Sequence, residues 1–421
     1  MLPLTDRRGG RGARRPRELG LGADVVEGAR AICERVRTGG DAALVALTRE
    51  LDGADVEGRL PVSGEEMEGA IESTPADLRG ALDRMADRLR DLHGRQLPRP
   101  WEAEADGVRF GEVVRPVASV GCYVPGGLAA YPSTVLMTAI PASVAGVPRI
   151  AMCTPPARDG SVPAPVLYAA GVAGVEAVYR VGGAQAIAAL AYGTETVPAV
   201  AKIVGPGNVW VTAAKREVAG LVGVDALAGP TELFIVADGS ADPRVVAADL
   251  VAQAEHDPLA RSVLVCLDDT LPARVREALS TEVAASPRRD IVTRALEHAE
   301  AAVVADLDAA AAIVEEAAPE HLQVLIEAPR AFLERVSAFG AAFLGSSSPV
   351  SFGDYGVGSN HVLPTMGTAR FASGLRAAEL VRVSSFVEAS ADAMDALGPE
   401  VELVAAAEGL PGHARAVEVR R

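Results

Sequence analysis

From residue 117 onward, short apolar runs alternate with helix-length stretches, and several of the runs close on glycine turns. Strand-length runs fall at 117–122, 150–153, 175–181 and 200–204, with helical stretches at 166–173, 184–192 and 209–219. The turns are Pro125-Gly126-Gly127, Gly182-Gly183 and Gly205-Pro206-Gly207-Asn208. Runs without polar alternation suit strands buried on both faces, and strands that alternate with helices build a parallel sheet covered on both sides. The pattern restarts at 232–236, followed by a helix at 243–256 and a strand at 263–267. Helices then fill 271–299, with strands near 302–305, 322–326 and 341–345. The expected fold class is α/β, with two doubly wound, incomplete Rossmann-like domains built on parallel sheets.

The flanks read differently. Residues 21–50 carry Val26, Ala29, Ile32 and Val36 at helical spacing, then Gly39-Gly40-Asp41 and a second helix. Residues 64–95 form amphipathic helix broken near Pro75, and a later helical stretch is interrupted at Pro141. From about 376 the chain reads as helix and then loop. Its 421 residues exceed one compact core.

The formal charge of −16 argues against nucleic acid and anionic membrane surfaces as partners. The one basic cluster, residues 7–17, is short and terminal and reads as a solvated tail. No apolar run is long enough to span a bilayer, and the start lacks the apolar segment of a secretory signal, so a cytoplasmic location is expected. Cys33, Cys122, Cys153 and Cys266 lie far apart without CxxC spacing, which excludes a cysteine metal cage and a disulfide framework. Cys122 and Cys153 end apolar runs and read as buried small hydrophobes, with Cys122 kept as a remote candidate nucleophile.

Only six histidines occur, and four sit among other chemically active side chains. In Gln253-Ala254-Glu255-His256-Asp257-Pro258 the proline ends a helix, and Gln253 and His256, three apart, share one face of its last turn. An oxygen and an imidazole nitrogen on one face make half a zinc site; a solvated helix end is the plainer reading. In Pro319-Glu320-His321-Leu322 a carboxylate beside an imidazole can activate water and move protons, although a loop-to-strand boundary explains the dipeptide equally. The glycine-rich stretch from Ser351 to His361 offers Asp354 as a hard oxygen donor and His361 as a further imidazole, or is a surface loop. Glu408-Gly409-Leu410-Pro411-Gly412-His413 can cap a site or fray as a tail. The turns before Gln185 and at Asn208 end strands and open helices, where free N–H groups favour phosphate; neither is a GxGxxG fingerprint.

Taken in order, these segments resemble the histidinol dehydrogenase family from about residue 25 to 415. The specific stretches are 121–127, 181–189, 202–208, 228–232, 253–258, 318–322, 353–365 and 408–413. The resemblance implies a zinc-dependent homodimer that oxidises L-histidinol to L-histidine, the last step of histidine biosynthesis. It does so by two successive hydride transfers to NAD through an aldehyde-level intermediate. It implies one zinc per subunit held by Gln253, His256, Asp354 and His413, with the tail of one subunit completing the other's site. Glu320 and His321 match the acid–base pair: His321 takes protons from the alcohol and Glu320 activates the water that hydrates the aldehyde. Tyr123, Gln185 and Asn208 match the NAD contacts. Thr231, Gln253, His256, His321, Asp354, Glu408 and His413 match the substrate shell. The implied mechanism needs no thiol, which demotes Cys122.

On this reading the chain divides into a tail at 1–20, a first Rossmann-like domain from 21–122 and 232–375, a second from 123–231 on the NAD side, and a C-terminal segment at 376–421. Small terminal segments would serve dimerisation. Departures from the family pattern are Thr231 for a usual serine, Leu128 for a common arginine, residues 366–380 and the first twenty. The alternatives are a family relative that oxidises another amino alcohol or polyol, a zinc hydrolase that turns over without NAD, and a non-catalytic nucleotide-binding protein.

Overall fold

The structure, a computed structural model, describes residues 4–6, 21–56, 58–126 and 130–421. The basic cluster, Gly127 and Leu128 lie outside the described residues. In chain order the strands are β1 (Leu4–Asp6), β2 (Trp101–Ala105), β3 (Val108–Pro116), β4 (Val120–Tyr123), β5 (Ile150–Thr154), β6 (Ala177–Arg180), β7 (Lys202–Val204) and β8 (Gly223–Val224). The second half adds β9 (Glu232–Ala237), β10 (Arg261–Cys266), β11 (Glu300–Val303), β12 (His321–Leu325), β13 (Ala341–Leu344) and β14 (Val381–Ala389).

Two parallel sheets carry the α/β fold, in the orders β6-β5-β4-β7-β8 and β1-β11-β10-β9-β12-β13. Two strands lie on each side of β4 in the first sheet; in the second, three lie on one side of β9 and two on the other. The winding therefore reverses between β4 and β7, and again between β9 and β12. Every residue of β4, β5, β9 and β12 is buried, including Glu232 of β9 and the polar His321 and Gln323 of β12.

Four features depart from the sequence reading. Leu4–Asp6, expected in a tail, pairs in parallel with β11 as the edge strand of the second sheet. A third sheet, β14-β3-β2, is antiparallel and was not foreseen. The chain after 376 is therefore strand β14 and then helices Ala391–Ala407 and Pro411–Glu418, not helix and loop. The pairing of β14 with β3 joins residues more than 260 positions apart, beyond any local pattern.

Helix Pro132–Val144 also runs straight through Pro141. A proline removes the N–H that would reach the carbonyl four residues back. That carbonyl, on Met137, instead accepts a 2.7 Å bond from Asn360 Nδ2, so the helix continues without an orphaned group. The expected break near Pro75 is present, between helices Gly64–Ser73 and Ala76–Gly94. The first of these opens with a reciprocal Ser63–Glu66 capping box. Gly40 adopts φ 52° and kinks helix Ala23–Leu47.

Packing also differs from the domain division drawn from sequence. Leu82, Met85, Ala86 and Leu89 share one core with Val120, Met137, Ile140 and Met152. Helix Ala23–Leu47 contributes Cys33, Val36 and Leu44 to the core on the other face of the same sheet. The helices between 23 and 94 thus cover the five-stranded sheet rather than the sheet of 232–344. An amphipathic stripe shows which face of a helix is apolar but not which sheet receives it.

Candidate active site

Strands β9 and β12 are neighbours, and the acid–base candidates stand at their amino ends. Thr231 precedes β9, and Glu320 and His321 lie at the start of β12, where His321 pairs with Leu233. This is the edge opposite to the one where doubly wound sheets usually bind ligands. The crossover helix Pro243–Ala254 leaves the carboxyl end of β9 and runs back. Its last turn therefore brings Gln253 to the same amino edge.

The buried carboxylate of Glu320 is held firmly. Its Oε2 accepts from Thr231 Oγ1 at 2.6 Å and from the Glu232 amide at 2.8 Å. Thr231 Oγ1 in turn accepts from Gln253 Nε2 at 2.6 Å, so a hydrogen-bonded line runs from Gln253 to Glu320. His321 Nδ1 lies 3.1 Å from the Glu232 carbonyl and 3.6 Å from Glu320 Oε2. A carbonyl can only accept, so Nδ1 carries the proton and Nε2 presents a lone pair. The chain thus holds the imidazole in the tautomer a general base needs.

Asp354 ends the short helix Ser351–Asp354 and is half-buried; His256 is exposed just beyond the helix end that carries Gln253. His361 braces this region. Its Nδ1 donates to the Asp354 carbonyl at 3.1 Å, which leaves Nε2 to accept from Thr134 Oγ1 at 3.2 Å. Burial pushes the His361 pKa down; the Asp354 charge opposes this, and His256 and His321 add to it. The sequence offered His361 as a metal donor, whereas both of its nitrogens are occupied by protein partners.

Glu408 and His413 do not join the site within one chain. Both are exposed on the C-terminal helix pair, which also exposes Leu403, Val404 and Leu410. Among the described residues, no group of three or more His, Cys, Asp or Glu side chains gathers at metal-binding distance. The donor types still suit zinc: an amide oxygen from Gln253, an imidazole from His256 and a carboxylate from Asp354, with a fourth donor needed to complete a tetrahedral site.

The residues matched to NAD lie at the carboxyl edge of the other sheet. Tyr123 ends β4, and its hydroxyl accepts from the Gly183 amide at 3.1 Å. Asn208 caps helix Val209–Val218, its Oδ1 accepting from the Trp210 and Val211 amides at 3.1 and 3.2 Å. The helix-start amides expected to be free for phosphate are thus partly occupied by Tyr123 and Asn208. Gln185 is buried and donates to Asp52 Oδ2 at 3.1 Å, while its Oε1 has no hydrogen-bond partner. Gly205, at φ 120°, sits where a Cβ would collide with the Tyr123 backbone, so the turn after β7 closes tightly on β4. A polar group without a partner and a glycine turn at the β4/β7 reversal fit a bound dinucleotide.

Sequence reasoning missed several residues here. Burial raises the Asp52 carboxyl to about 6, against the hydrogen bonds from Gln185 and Gly182 that favour its charge. Lys215 and Asp225 form a buried ion pair at 2.5 Å that also clasps the 205 turn, through Lys215 Nζ to the Gly205 carbonyl and the Gly205 amide to Asp225 Oδ2. Glu232 is a second buried carboxylate beside Glu320. Their neighbours come from distant segments, and only the glycine turns hinted at them. Burial raises the Cys122 thiol to about 12, so it stays protonated, and Thr138 stands beside it.

Two doubly wound sheets with a buried carboxylate–imidazole pair at one edge and a glycine turn at the other define an α/β enzyme. The histidinol dehydrogenase family profile matches residues 17–421. The chain is 48% identical to a histidinol dehydrogenase of Moorella thermoacetica, over all of both chains. It is 47% identical to one of Synechococcus, over 93% of this chain and 91% of that protein. A crystal structure of histidinol dehydrogenase from Elizabethkingia anophelis superposes with a TM-score of 0.91 at 34% identity, covering 98% of this chain and 94% of that one. The chain belongs to the histidinol dehydrogenase family and is an oxidoreductase. Among the described residues, no helix is long and apolar enough to cross a membrane.

Proposed function

We propose that this enzyme oxidises L-histidinol to L-histidine in two successive hydride transfers to NAD, as the last step of histidine biosynthesis in the cytoplasm. The observation that carries the reading is the His321–Glu320 pair: an imidazole locked with Nε2 free, beside a carboxylate fixed by Thr231 and the Glu232 amide.

In this reading His321 Nε2 accepts the hydroxyl proton in the first oxidation. Glu320 takes a proton from the water that adds to the aldehyde while His321 returns its proton to the aldehyde oxygen, so that His321, again neutral, accepts the hydrate's proton in the second oxidation. Burial of both groups excludes bulk water and strengthens their electrostatic effect. Gln253, His256 and Asp354 would hold zinc, with His413 of a second copy as the fourth ligand. Zinc, when bound, would hold and orient the nitrogen donors of the substrate. Tyr123, Gln185 and Asn208 would hold NAD, which would take up the hydride. Thr231, Gln253, His256, His321, Asp354, Glu408 and His413 would surround the substrate. A homodimer with shared sites is supported by the position of Glu408 and His413 on an exposed helix pair, away from their partners in one chain, beside apolar residues open to a second copy.

The test is NADH formation with L-histidinol by zinc-loaded protein, with the product identified. Two NADH per histidine, lost with a chelator and in His321→Ala, is the expected result. Turnover of another amino alcohol or polyol but not histidinol would overturn the substrate. Hydrolysis without NAD would overturn the reaction class.

A further inference from the structure

One face of the six-stranded sheet is covered by helix Pro243–Ala254, and the layer between them is apolar. Leu233, Ile235, Ala237, Leu264 and Leu325 of the sheet meet Val246, Ala247, Leu250 and Ala254 of the helix. Two polar side chains are buried in that layer. Gln323 is fully buried and donates from Nε2 to Asp249 Oδ2 at 2.7 Å, and Asp249 is buried as well. The pair is an expensive thing to place there: burial pushes the Asp249 carboxyl up, and Gln323 Oε1 has no hydrogen-bond partner. Two apolar side chains of similar volume would pack at no such disadvantage.

The position of the pair says what it does. Side chains two apart on a strand share a face, so His321, Gln323 and Leu325 point to the same side of β12. Residues four apart on a helix share a face, so Asp249 and Gln253 lie one turn apart on the same side. The bond therefore ties the helix to the strand one step inward from the site, and a slip of the helix along or around its axis breaks it. The same slip carries Gln253 out of its 2.6 Å bond to Thr231, which itself holds Glu320. A buried polar contact that only one alignment satisfies sets register, as polar residues do in coiled-coil cores.

We propose that the buried Asp249–Gln323 pair is a positioning latch that sets the helix end bearing Gln253 and His256 against the strand bearing His321. The zinc part of this inference rests on the ligand set proposed above. Neither residue touches substrate, so both act through the groups they align. Misplacement by about 1 Å is enough to slow an oriented reaction about a hundredfold.

The experiment compares wild-type protein with Asp249→Leu/Gln323→Leu and with Asp249→Asn. The apolar double variant is expected to melt within about 3 °C of wild type, because it replaces a polar pair by packed side chains. Its apoprotein is expected to bind zinc about ten- to a hundredfold more weakly in competition with a chromogenic chelator. Its kcat with histidinol is expected to fall by about tenfold or more, with KM less affected. Asp249→Asn can both accept from Gln323 Nε2 and donate to its free Oε1, so it is expected to keep zinc affinity and turnover. A double variant with unchanged zinc affinity and kcat overturns the latch. If the double variant does not fold, Gln323→Met, which keeps the volume and removes the bond, is judged by the same two readouts. Wild-type protein that binds zinc but does not oxidise histidinol overturns the substrate reading alone, and the latch then stands or falls on zinc affinity.

Discussion

Substituting Glu232 by Gln makes the protein gain stability at high pH relative to low pH. Glu232 is part of a row of charges across the amino edge of the second sheet. Arg261 on β10 bonds Glu300 at 2.7 Å, lies 3.8 Å from the Glu232 carboxylate and sits over the Phe234 ring at 5.2 Å. Burial raises the Glu232 carboxyl from 4.5 to about 7; Arg261 pulls it back, and the neighbouring Glu320 pushes it further. A carboxyl raised in the folded state binds more protons there than in the unfolded chain. Its contribution is intact below about 4.5 and is lost as pH rises to about 7, which destabilises the fold above that. At about 1.4 kcal/mol per unit, roughly 3 kcal/mol is at stake, of which about 2–3 kcal/mol falls between pH 5 and pH 8.5. Spread over an unfolding entropy of about 0.9 kcal/mol per kelvin for a chain this size, that is roughly 3 °C. Scanning calorimetry of both proteins at the two pH values measures it. The melting temperature of Glu232→Gln relative to wild type should be about 3 °C higher at pH 8.5 than at pH 5. An offset that is equal at both pH values refutes the reasoning, because it shows that no proton is taken up at this site over that range.

Other changes give distinct results. Glu320→Gln should lower the second oxidation by about a hundredfold or more while sparing the first, so stopped-flow traces should show aldehyde accumulating with one NADH per histidinol consumed. Thr231→Val strips the hydroxyl from between Gln253 and Glu320. It should lose about 1–3 kcal/mol of stability in denaturant titrations, because both partners stay buried. Lys215→Met leaves Asp225 charged and buried without its partner, and should lower unfolding free energy by about 3–5 kcal/mol. Refolding an equimolar mixture of His413→Ala and Glu320→Gln should restore about a quarter of wild-type activity, since half the dimers are mixed and each has one intact site; no recovery would exclude sharing between subunits.

What the sequence made legible follows from how far each signal reaches. The central strands β4, β5 and β9 announce themselves because a strand buried on both faces is mostly apolar, while β12, equally buried, is broken by His321 and Gln323 and shows only as a shorter apolar stretch. Strand β14 does not announce itself, because seven of its nine residues are exposed and its partner β3 lies far back in the chain. The same limit applies within the site. Glu320 and His321 stand side by side in sequence, and Gln253 and His256 share a helix turn, so local spacing brings each pair into view. The groups that give those pairs their chemistry come from elsewhere. Thr231 fixes Glu320 across 89 positions, the Glu232 carbonyl sets the His321 tautomer across 89, and Asn360 covers the Met137 carbonyl that Pro141 leaves free across 223. A motif therefore identifies which atoms can react, while the fold decides which of their lone pairs and protons are already in use. That is why His361 looked like a ligand in sequence and is a brace in the structure, and why the helix-start amides at 183 and 210 looked free and are occupied.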